Sequence, residues 1–570
     1  MKKINNSCES FITAVNNKHK ILIILLLCIA ILLLSFSLLP NFQDRIFGKV
    51  IDFCSWLLGE HLNHDEYIEK ILDGSKDSAI AILLGTALWY MRKKRGKHSK
   101  LSKKQENTIC CTGFILFSII TLVTIFLHEP WIDEVHAWFL AKEYSVSRLI
   151  YEMRYEGHFI LWYLILMPFA KHNFPIITLN IISWFISCIS VAFFLWKSPF
   201  TLSAKLVALC SNALLFWYPV VSRCYVLLIP LLFMLASIYK KRNERLFLFA
   251  ILLAMLSNTH AYIEGFVGVL TFSFLIQDII LPWKQYSIKE KKNHLIAFAI
   301  IILGILIAFL QVAPAFFAKD KNEAANFHFD IISLTGFLTG SNIFLFATPF
   351  FAAFFIFVLF YIYQTDKKQF LILFFSLVYM GLFSVCLYAV GIPNRALMWF
   401  FILIFVLWNT RISNTRKSVL LIICALFIMR PSLTLRDWKE DFSSLKTTKK
   451  YIENNYKEET PIFIKTTHYT ATFAVTLADN FTAYHLESMN PVKLYSFSRK
   501  YNPHKAASVP DHISNIENSK RFSFPILIIS EEQIPHAEIQ SYKYHIKEFP
   551  CVYARSLWLY VLKKDDAQIP

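Results

Sequence analysis

The sequence predicts an α-helical polytopic membrane protein that carries a small α/β domain at its C-terminal end. Hydrophobic residues make up 56% of the 570 residues, charged residues only 17%, and the mean hydropathy is +0.46. Apolar runs of roughly twenty residues, the length that a bilayer core requires, recur through the first three-quarters of the chain. They lack the polar face of a soluble helix. After Pro431 the composition changes, and no run of membrane length remains.

Residues 1–108 are predicted to form a two-span N-terminal extension with a basic cytoplasmic loop. The first apolar run, 21–39, follows a lysine-rich start. This run is too long for the core of a signal peptide, and no small-residue cleavage site follows it. We therefore expect an uncleaved anchor whose N-terminus lies in the cytoplasm.

The formal net charge of +18 is carried by short loops between the apolar runs. Basic clusters lie at 92–104, 240–245, 289–292, 367–368 and 411–417. Lys and Arg in short loops mark the cytoplasmic side of a membrane, so the charge requires no nucleic acid as partner. Counting from these loops predicts about 13 spans, with residues 109–432 as the main transmembrane module. We expect an integral protein of the bacterial inner (cytoplasmic) membrane.

One apolar run, 159–170, is too short for an ordinary crossing. If it crossed, all later basic clusters would move to the outside. We therefore predict a re-entrant or half-buried helix that returns to the outer face, where irregular backbone is tolerated if it lines a cavity.

Residues 433–570 are predicted to form a small extracytoplasmic α/β domain. The β-rich stretches 461–464, 473–475, 524–529 and 558–562 predict strands, and residues 444–456 predict a helix. The count of crossings places this domain outside.

Two adjacent carboxylates, Asp133 and Glu134, directly follow an apolar run that ends at Leu127. Ionisable groups at membrane depth are rare and usually functional. A carboxylate here could deprotonate an acceptor hydroxyl or bind a metal ion. The alternative is structural, because an acidic residue before Val135 and His136 is also suited to capping an interfacial helix. The residues alone leave both alternatives open.

Further polar residues fall at the ends of spans on the predicted outer face. Each has a plain structural alternative: a polar lip on a re-entrant helix, an arginine reaching for lipid headgroups, or a satisfied interfacial histidine. Together they would place a carboxylate that can act on an acceptor hydroxyl beside cations that can bind a phosphate. A lipid-phosphate donor fits that arrangement. The residues are Glu156, His158, Arg223, His260 and Arg395.

These elements resemble the motifs of the GT-C superfamily of integral-membrane glycosyltransferases, and most closely its protein O-mannosyltransferase and aminoarabinose-transferase branch. The family's acidic pair is matched by Asp133-Glu134. Its later elements are matched, in order, by Glu156-Gly157-His158, Arg223-Cys224-Tyr225, Thr259-His260-Ala261-Tyr262 and Pro393-Asn394-Arg395. The resemblance covers roughly residues 109–432. The two prolines after the family's histidine are replaced here by Phe159-Ile160, and two extra spans precede the acidic pair.

The resemblance implies that a sugar moves from a polyprenyl-phosphate donor to an acceptor on the outer face, with inversion at the anomeric carbon. It implies that Asp133 activates the acceptor, and that Arg223 or Arg395 stabilises the departing lipid phosphate. The expected catalytic pair is Asp133 and Glu134. The expected substrate-binding residues are His136, Glu156, His158, Arg223, Tyr225, His260, Tyr262 and Arg395.

The implied partners are a polyprenyl-phosphate-sugar donor, a lipid, glycan or protein acceptor, and membrane lipids. No cofactor is expected to be required. A divalent cation stays an alternative because some branches of the family use one, but the local carboxylates do not demand it. The eleven cysteines show neither zinc spacing nor a disulfide framework.

A transporter or flippase of lipid-linked sugars is the main alternative from another functional class. It would need many spans and an outer polar cavity as well, but it should show pseudo-repeated halves with broken spans. No such repeat is visible, and the chain has only 14 Gly. A receptor or assembly protein that acts through its C-terminal domain would leave the ordered carboxylate, histidine and arginine elements unexplained.

Overall fold

The structure, a computed structural model, describes residues 64–94, 101–156, 158–317, 329, 348–387, 393–496, 509–540, 543–551 and 556–563. The predicted anchor at 21–39 lies outside the described residues. So does Gly157 of the predicted Glu156-Gly157-His158 element.

Helices form most of the described chain up to residue 437. In chain order they are α1 His64–Lys94, α2 Lys103–Leu127, α3 Ile132–Glu143, α4 Val146–Glu156, α5 Leu161–Lys171, α6 Ile177–Lys197, α7 Leu202–Leu209, α8 Leu228–Ile238, α9 Leu246–Ser257, α10 Glu264–Phe274, α11 Ile288–Phe317, α12 Thr348–Thr365, α13 Lys367–Cys386, α14 Pro393–Ala396, α15 Met398–Asn409, α16 Asn414–Phe427 and α17 Pro431–Asp437. Short 3-10 and π turns join several of them.

Six helical segments of the described chain are long and apolar enough to cross a membrane, which fits an integral membrane protein. They are Lys103–Leu127, Ile177–Lys197, Cys224–Lys241, Ala261–Ile280, Ile288–Ala313 and Lys367–Cys386. The pair α16 and α17, bent by 42°, would add a seventh if it is one span. The predicted number of about 13 is not confirmed. A count based on hydropathy includes apolar residues on both sides of a break in a helix. The helices α5 and α9, for example, have only 11 and 12 residues.

A close helix crossing joins α9 and α11. A Cβ atom added to Gly304 would lie 2.5 Å from the Cβ of Ala254 and 2.6 Å from its Cα, so only glycine permits this approach. The Asn258 amide at the end of α9 donates to the carbonyl of Gly304 at 3.0 Å. The pair is therefore fixed by shape and by a hydrogen bond.

Basic loops that the sequence assigns to the cytoplasm meet at one end of the helices. Arg242 donates two hydrogen bonds to the carboxylate of Asp278, from Nε at 2.8 Å and from Nη2 at 2.9 Å. Lys368 donates to the side chain of Gln277, the residue before Asp278. The basic loops at 240–245 and 367–368 therefore lie at the same end of the helices, as the assignment of both to one side of the membrane predicts. Which side that is stays a prediction.

The short helix α5 packs along α3. At 11 residues it is about 16 Å long, roughly half of a bilayer core. Its last residue, Lys171, donates to the backbone carbonyl of Lys142 at 3.3 Å near the end of α3. Before its start, the N–H of Ile160 donates to Gln311 Oε1 at 2.8 Å. This arrangement fits the predicted half-buried helix, while a crossing is untested.

The C-terminal region forms the predicted small α/β domain. Its strands are β1 Ile462–Ile464, β2 Ala483–His485, β3 Ile526–Ser530, β4 Lys543–Phe549 and β5 Leu557–Lys563, in the spatial order β2-β1-β3-β5-β4. The pairs β1–β2 and β1–β3 are parallel, and β5 is antiparallel to β3 and β4. The helices are α18 Leu445–Asn455, α19 His468–Thr476, α20 Val509–Ser519 and α21 His536–Ile539.

One predicted strand of this domain is wrong. Residues 473–475 lie in α19, which begins after Thr467 with a reciprocal capping box between Thr467 and Thr470. Three apolar residues are too few to distinguish a strand from a helix by periodicity. The predicted helix over 444–456 is confirmed by α18.

Helix α3 lies between two hydrophobic cores. Ile132 and Val135 pack with residues of the C-terminal sheet and its helices. Trp138, Leu140 and Ala141 pack into the large core of the helical module. The helix that carries the acidic pair is therefore positioned jointly by both parts of the chain.

Candidate functional site

Asp133 forms an ion pair with Arg223 in the first turn of α3. Arg223 Nη1 donates to Asp133 Oδ2, and the two side chains are 7% and 22% exposed, respectively. Burial is the largest single influence and opposes ionisation of the carboxyl, but the charge and the hydrogen bond of Arg223, together with smaller effects of neighbouring side chains, hold the pKa of Asp133 well below its usual range. Asp133 is thus a carboxylate that stays charged and remains partly accessible.

His158 accepts a hydrogen bond from the other terminal nitrogen of the same guanidinium. Its Nδ1 lies 2.8 Å from the carbonyl oxygen of Glu156, which can only accept, so Nδ1 carries the proton. Its Nε2 can then accept from Arg223 Nη2 at 3.0 Å. Burial and the nearby Arg223 lower the pKa of His158 to about 3, so the ring is neutral. Arg223 therefore joins the carboxylate to a neutral imidazole.

Glu134 points away from this accessible carboxylate. Its side chain is 0% exposed. Oε1 accepts from the backbone N–H of Ser222 at 2.7 Å and from Asn180 Nδ2 at 2.9 Å. Oε2 accepts from the backbone N–H of Trp131 at 2.8 Å, which caps α3. Glu134 is therefore enclosed in this arrangement, and its predicted place in the catalytic pair stays a prediction. The structural alternative of helix capping holds for Glu134.

The contact with Ser222 gives Glu134 a positioning role. It ties the residue after Asp133 to the residue before Arg223, so the two members of the ion pair face each other. The carboxylate also reaches His128, whose Nε2 lies 3.3 Å from Oε2. This buried carboxylate therefore holds Asp133 and Arg223 in position and does not itself contact reacting atoms in this arrangement.

His128 lies between two buried carboxylates. Its Nδ1 is 3.0 Å and 3.1 Å from the two carboxylate oxygens of Asp437, and its Nε2 faces Glu134. Burial alone would lower the pKa of His128, but the two carboxylates raise it to about 10. The imidazolium thus connects the acidic loop to the end of α17.

A second layer of polar and aromatic side chains lies behind the ion pair. The Arg395 Nε donates to the phenolic oxygen of Tyr225 at 3.1 Å. The ring of His260 lies 4.7 Å from that of Tyr225 and 5.6 Å from that of His158. Tyr262 donates its backbone N–H to His260 Nδ1 at 3.1 Å. Four predicted elements distant in sequence therefore meet around Arg223, and these second-layer residues are buried.

His136 and Glu156 form a further buried pair. His136 Nε2 lies 3.0 Å from Glu156 Oε1, and both side chains are 4% exposed. The backbone carbonyl of the same Glu156 orients His158. These two predicted binding residues therefore support the shape of the site.

His468 is a residue that sequence reasoning missed. It is the first residue of α19 in the C-terminal domain, and its ring meets that of His136 edge-on at 4.9 Å. It interacts electrostatically with Asp133 and Arg223. Thr467 could have indicated the start of a helix at His468, because it caps α19. Nothing in the sequence shows where that helix packs.

The accessible part of the site is small. Trp131, Asp133, His158 and His468 are partly exposed, and the other site residues named above are buried. The Arg223 guanidinium lies 5.6 Å from the centre of the Trp131 ring. The opening thus combines an anionic oxygen, two neutral imidazoles and an aromatic face.

No group of three or more His, Cys, Asp or Glu side chains among the described residues is arranged to hold a metal ion. The expectation that no metal is required stays a prediction. The carboxylate nearest the opening is engaged by an arginine, and Glu134 by four hydrogen-bond donors.

No family model and no curated protein matches the chain. Among solved structures, it is similar to the crystal structure of ArnT from Cupriavidus metallidurans bound to undecaprenyl phosphate. The sequence identity is 9% and the TM-score 0.45, with 80% of this chain and 98% of that chain covered. ArnT is a member of the GT-C family that the motifs resemble.

Proposed function

We propose that this protein is a membrane glycosyltransferase that moves a sugar from a polyprenyl-phosphate donor to an acceptor at the outer face of the membrane. Asp133 is the acceptor-activating carboxylate. The observation that carries the proposal is the partly exposed Asp133, which is ionised beside Arg223 and His158 where α3 begins.

The reaction needs a charged group for the acceptor and a cation for the leaving group. Asp133 removes the proton from an acceptor hydroxyl as its oxygen attacks the anomeric carbon. The bond from that carbon to the phosphate oxygen breaks, and the lipid phosphate leaves with the electron pair. Arg223, with Arg395 behind it, stabilises the charge on the phosphate. Attack from the face opposite the leaving group inverts the anomeric carbon.

The ion pair also sets the basicity of Asp133. While Arg223 donates to it, the low pKa of the carboxylate makes it a good hydrogen-bond acceptor but a weak base. A donor phosphate that draws on the same guanidinium weakens this hold and raises the proton affinity of Asp133. Binding of the donor would thus prepare the base.

Asp133→Asn tests the proposal. Asn keeps the shape of the side chain but cannot take a proton, so transfer should fall by at least about 100-fold. The matched control is Glu143→Gln, an exposed acid at the other end of α3, which should leave transfer unchanged. Binding of undecaprenyl phosphate by the purified proteins gives a second measurement that does not depend on turnover.

In cells, the deletion strain should lack one envelope sugar and accumulate a polyprenyl-phosphate sugar, as read by mass spectrometry of lipids and glycans. Glu143→Gln should restore the wild-type profile, and Asp133→Asn should not, although both insert equally. Turnover of Asp133→Asn at the wild-type rate would refute the role of Asp133. A deletion strain with unchanged lipid and glycan profiles would refute the transferase itself.

A further inference from the structure

The carboxyl end of β1, the central parallel strand of the C-terminal domain, leads towards α3. Strand β1 ends at Ile464, and the chain continues through Thr467 into His468 and α19, which packs against α3. In open α/β sheets this edge is where ligands usually bind. The geometry therefore brings this edge of the C-terminal sheet towards the accessible carboxylate of the helical module.

Interlocking contacts fix His468 at this edge. Its ring lies 4.9 Å from that of His136 and 5.2 Å from that of Tyr495. Next to Tyr495, Ser496 donates to Glu152 Oε2 at 2.9 Å, which joins the outer domain to α4. His468 is thus held by residues of both parts of the chain, and as a residue it is partly exposed.

The chemistry of this opening suits a sugar hydroxyl. Burial and the neighbouring His136 lower the pKa of His468 to about 3, so its ring is neutral and contains one donor nitrogen and one acceptor nitrogen. A hydroxyl group is likewise a donor and an acceptor. The partly exposed Trp131 adds an aromatic face, against which the C–H groups of a sugar ring can pack.

We propose that the acceptor is a glycan that binds between the C-terminal domain and α3, and that His468 contacts the acceptor sugar beside Asp133. The donor phosphate then occupies the opposite side, towards Arg223 and Arg395. This inference rests on the proposed function, and it makes the C-terminal domain one wall of the catalytic site.

The test compares three full-length variants in detergent. The donor is the polyprenyl-phosphate-sugar lipid fraction of the deletion strain, and the acceptor probe is its protease-treated envelope glycan. In His468→Ala, the half-saturating glycan concentration should rise by roughly threefold to tenfold, the effect of one lost hydrogen bond. The maximal rate and the affinity for undecaprenyl phosphate should stay within about twofold of wild type.

His468→Gln, which keeps a donor and an acceptor, should restore most of the glycan affinity. It also serves if His468→Ala does not fold. The control is His545→Ala, an exposed histidine on β4 at the far edge of the same sheet, which should change nothing.

An unchanged half-saturating glycan concentration in His468→Ala would overturn the inference. So would a parallel loss of undecaprenyl phosphate affinity, because His468 would then act on the donor or on the whole fold. Wild-type transfer that needs the protein part of the envelope would refute a glycan acceptor while leaving the transferase intact. A wild-type protein that neither binds undecaprenyl phosphate nor consumes the donor would instead refute the proposed function, and the role of His468 with it.

Discussion

Replacing His128 with Gln tests the buried charge that supports the site. The ring of His128 is 0% exposed, and its charge is shared between Glu134 and Asp437. The substitution leaves these two carboxylates facing each other without a cation. Removing one partner from a buried ionic group costs about 3–5 kcal/mol of stability. His128→Gln should therefore unfold at a clearly lower temperature than the wild-type protein.

The effect should depend on pH in a defined direction. The pKa of His128 is raised from 6.5 to about 10 in the folded protein, which is worth at most about 5 kcal/mol. This stabilisation is fully present below pH 6.5, declines as the pH rises, and is lost above about pH 10. The stability gap between wild type and His128→Gln should therefore narrow as the solution becomes alkaline. Burial raises the pKa of Glu129 to about 7, so this group is deprotonated above about pH 8.5. Its titration therefore does not contribute to the change in the stability gap above that pH.

The assay is thermal unfolding in detergent, followed by tryptophan fluorescence at a fixed heating rate between about pH 7 and about pH 9.5. His545→Gln, at an exposed position on β4, is the control for the loss of a histidine. A gap between wild type and His128→Gln that stays constant over this range would refute a charged His128. No gap at any pH would refute the buried ionic contact itself.

Three further results are expected. Gln311→Leu removes the acceptor of the Ile160 N–H at the start of α5 and should cost about 1–3 kcal/mol, read as a lower unfolding temperature; an unchanged temperature would argue against that contact. Gly304→Val forces a Cβ against Ala254 and should cost about 1–3 kcal/mol by the same measurement, and equal stability would show that α9 and α11 are not so close. A cysteine introduced by Lys241→Cys, at an exposed position, should react with a membrane-impermeant maleimide only after the cells are opened; labelling in intact cells, relative to the unsubstituted chain, would reverse the predicted topology.

The meeting of Asp133, His158, Arg223 and His260 could be predicted from the sequence. Each lies next to an apolar run, and the basic loops assign all these positions to one face. The structure confirms that they come together, although the side of the membrane remains a prediction. Charge and hydropathy suffice for this because they restrict a polar side chain to a few places in a membrane protein.

The division of labour within the acidic pair could not be predicted. Glu134 is enclosed by Asn180, Ser222 and His128, which come from three other parts of the chain. Two neighbouring carboxylates look alike in sequence, and only the packing of these partners decides which one is enclosed. His468 escaped prediction for the same reason, because its position beside His136 depends on where the C-terminal domain docks.

The double attachment of α3 has a consequence for how the protein is made. His128, directly after α2, bonds to Asp437, and Ser443 donates to the carbonyl of Pro130 at 2.9 Å. These partners are separated by about three hundred residues of chain that must first be synthesised and inserted. The helix with Asp133 therefore cannot reach its final position while the ribosome is still working on the module. A nascent chain that stops before the C-terminal domain would carry every predicted motif but would lack these contacts, so α3 takes its final position only after Ser443 has been synthesised.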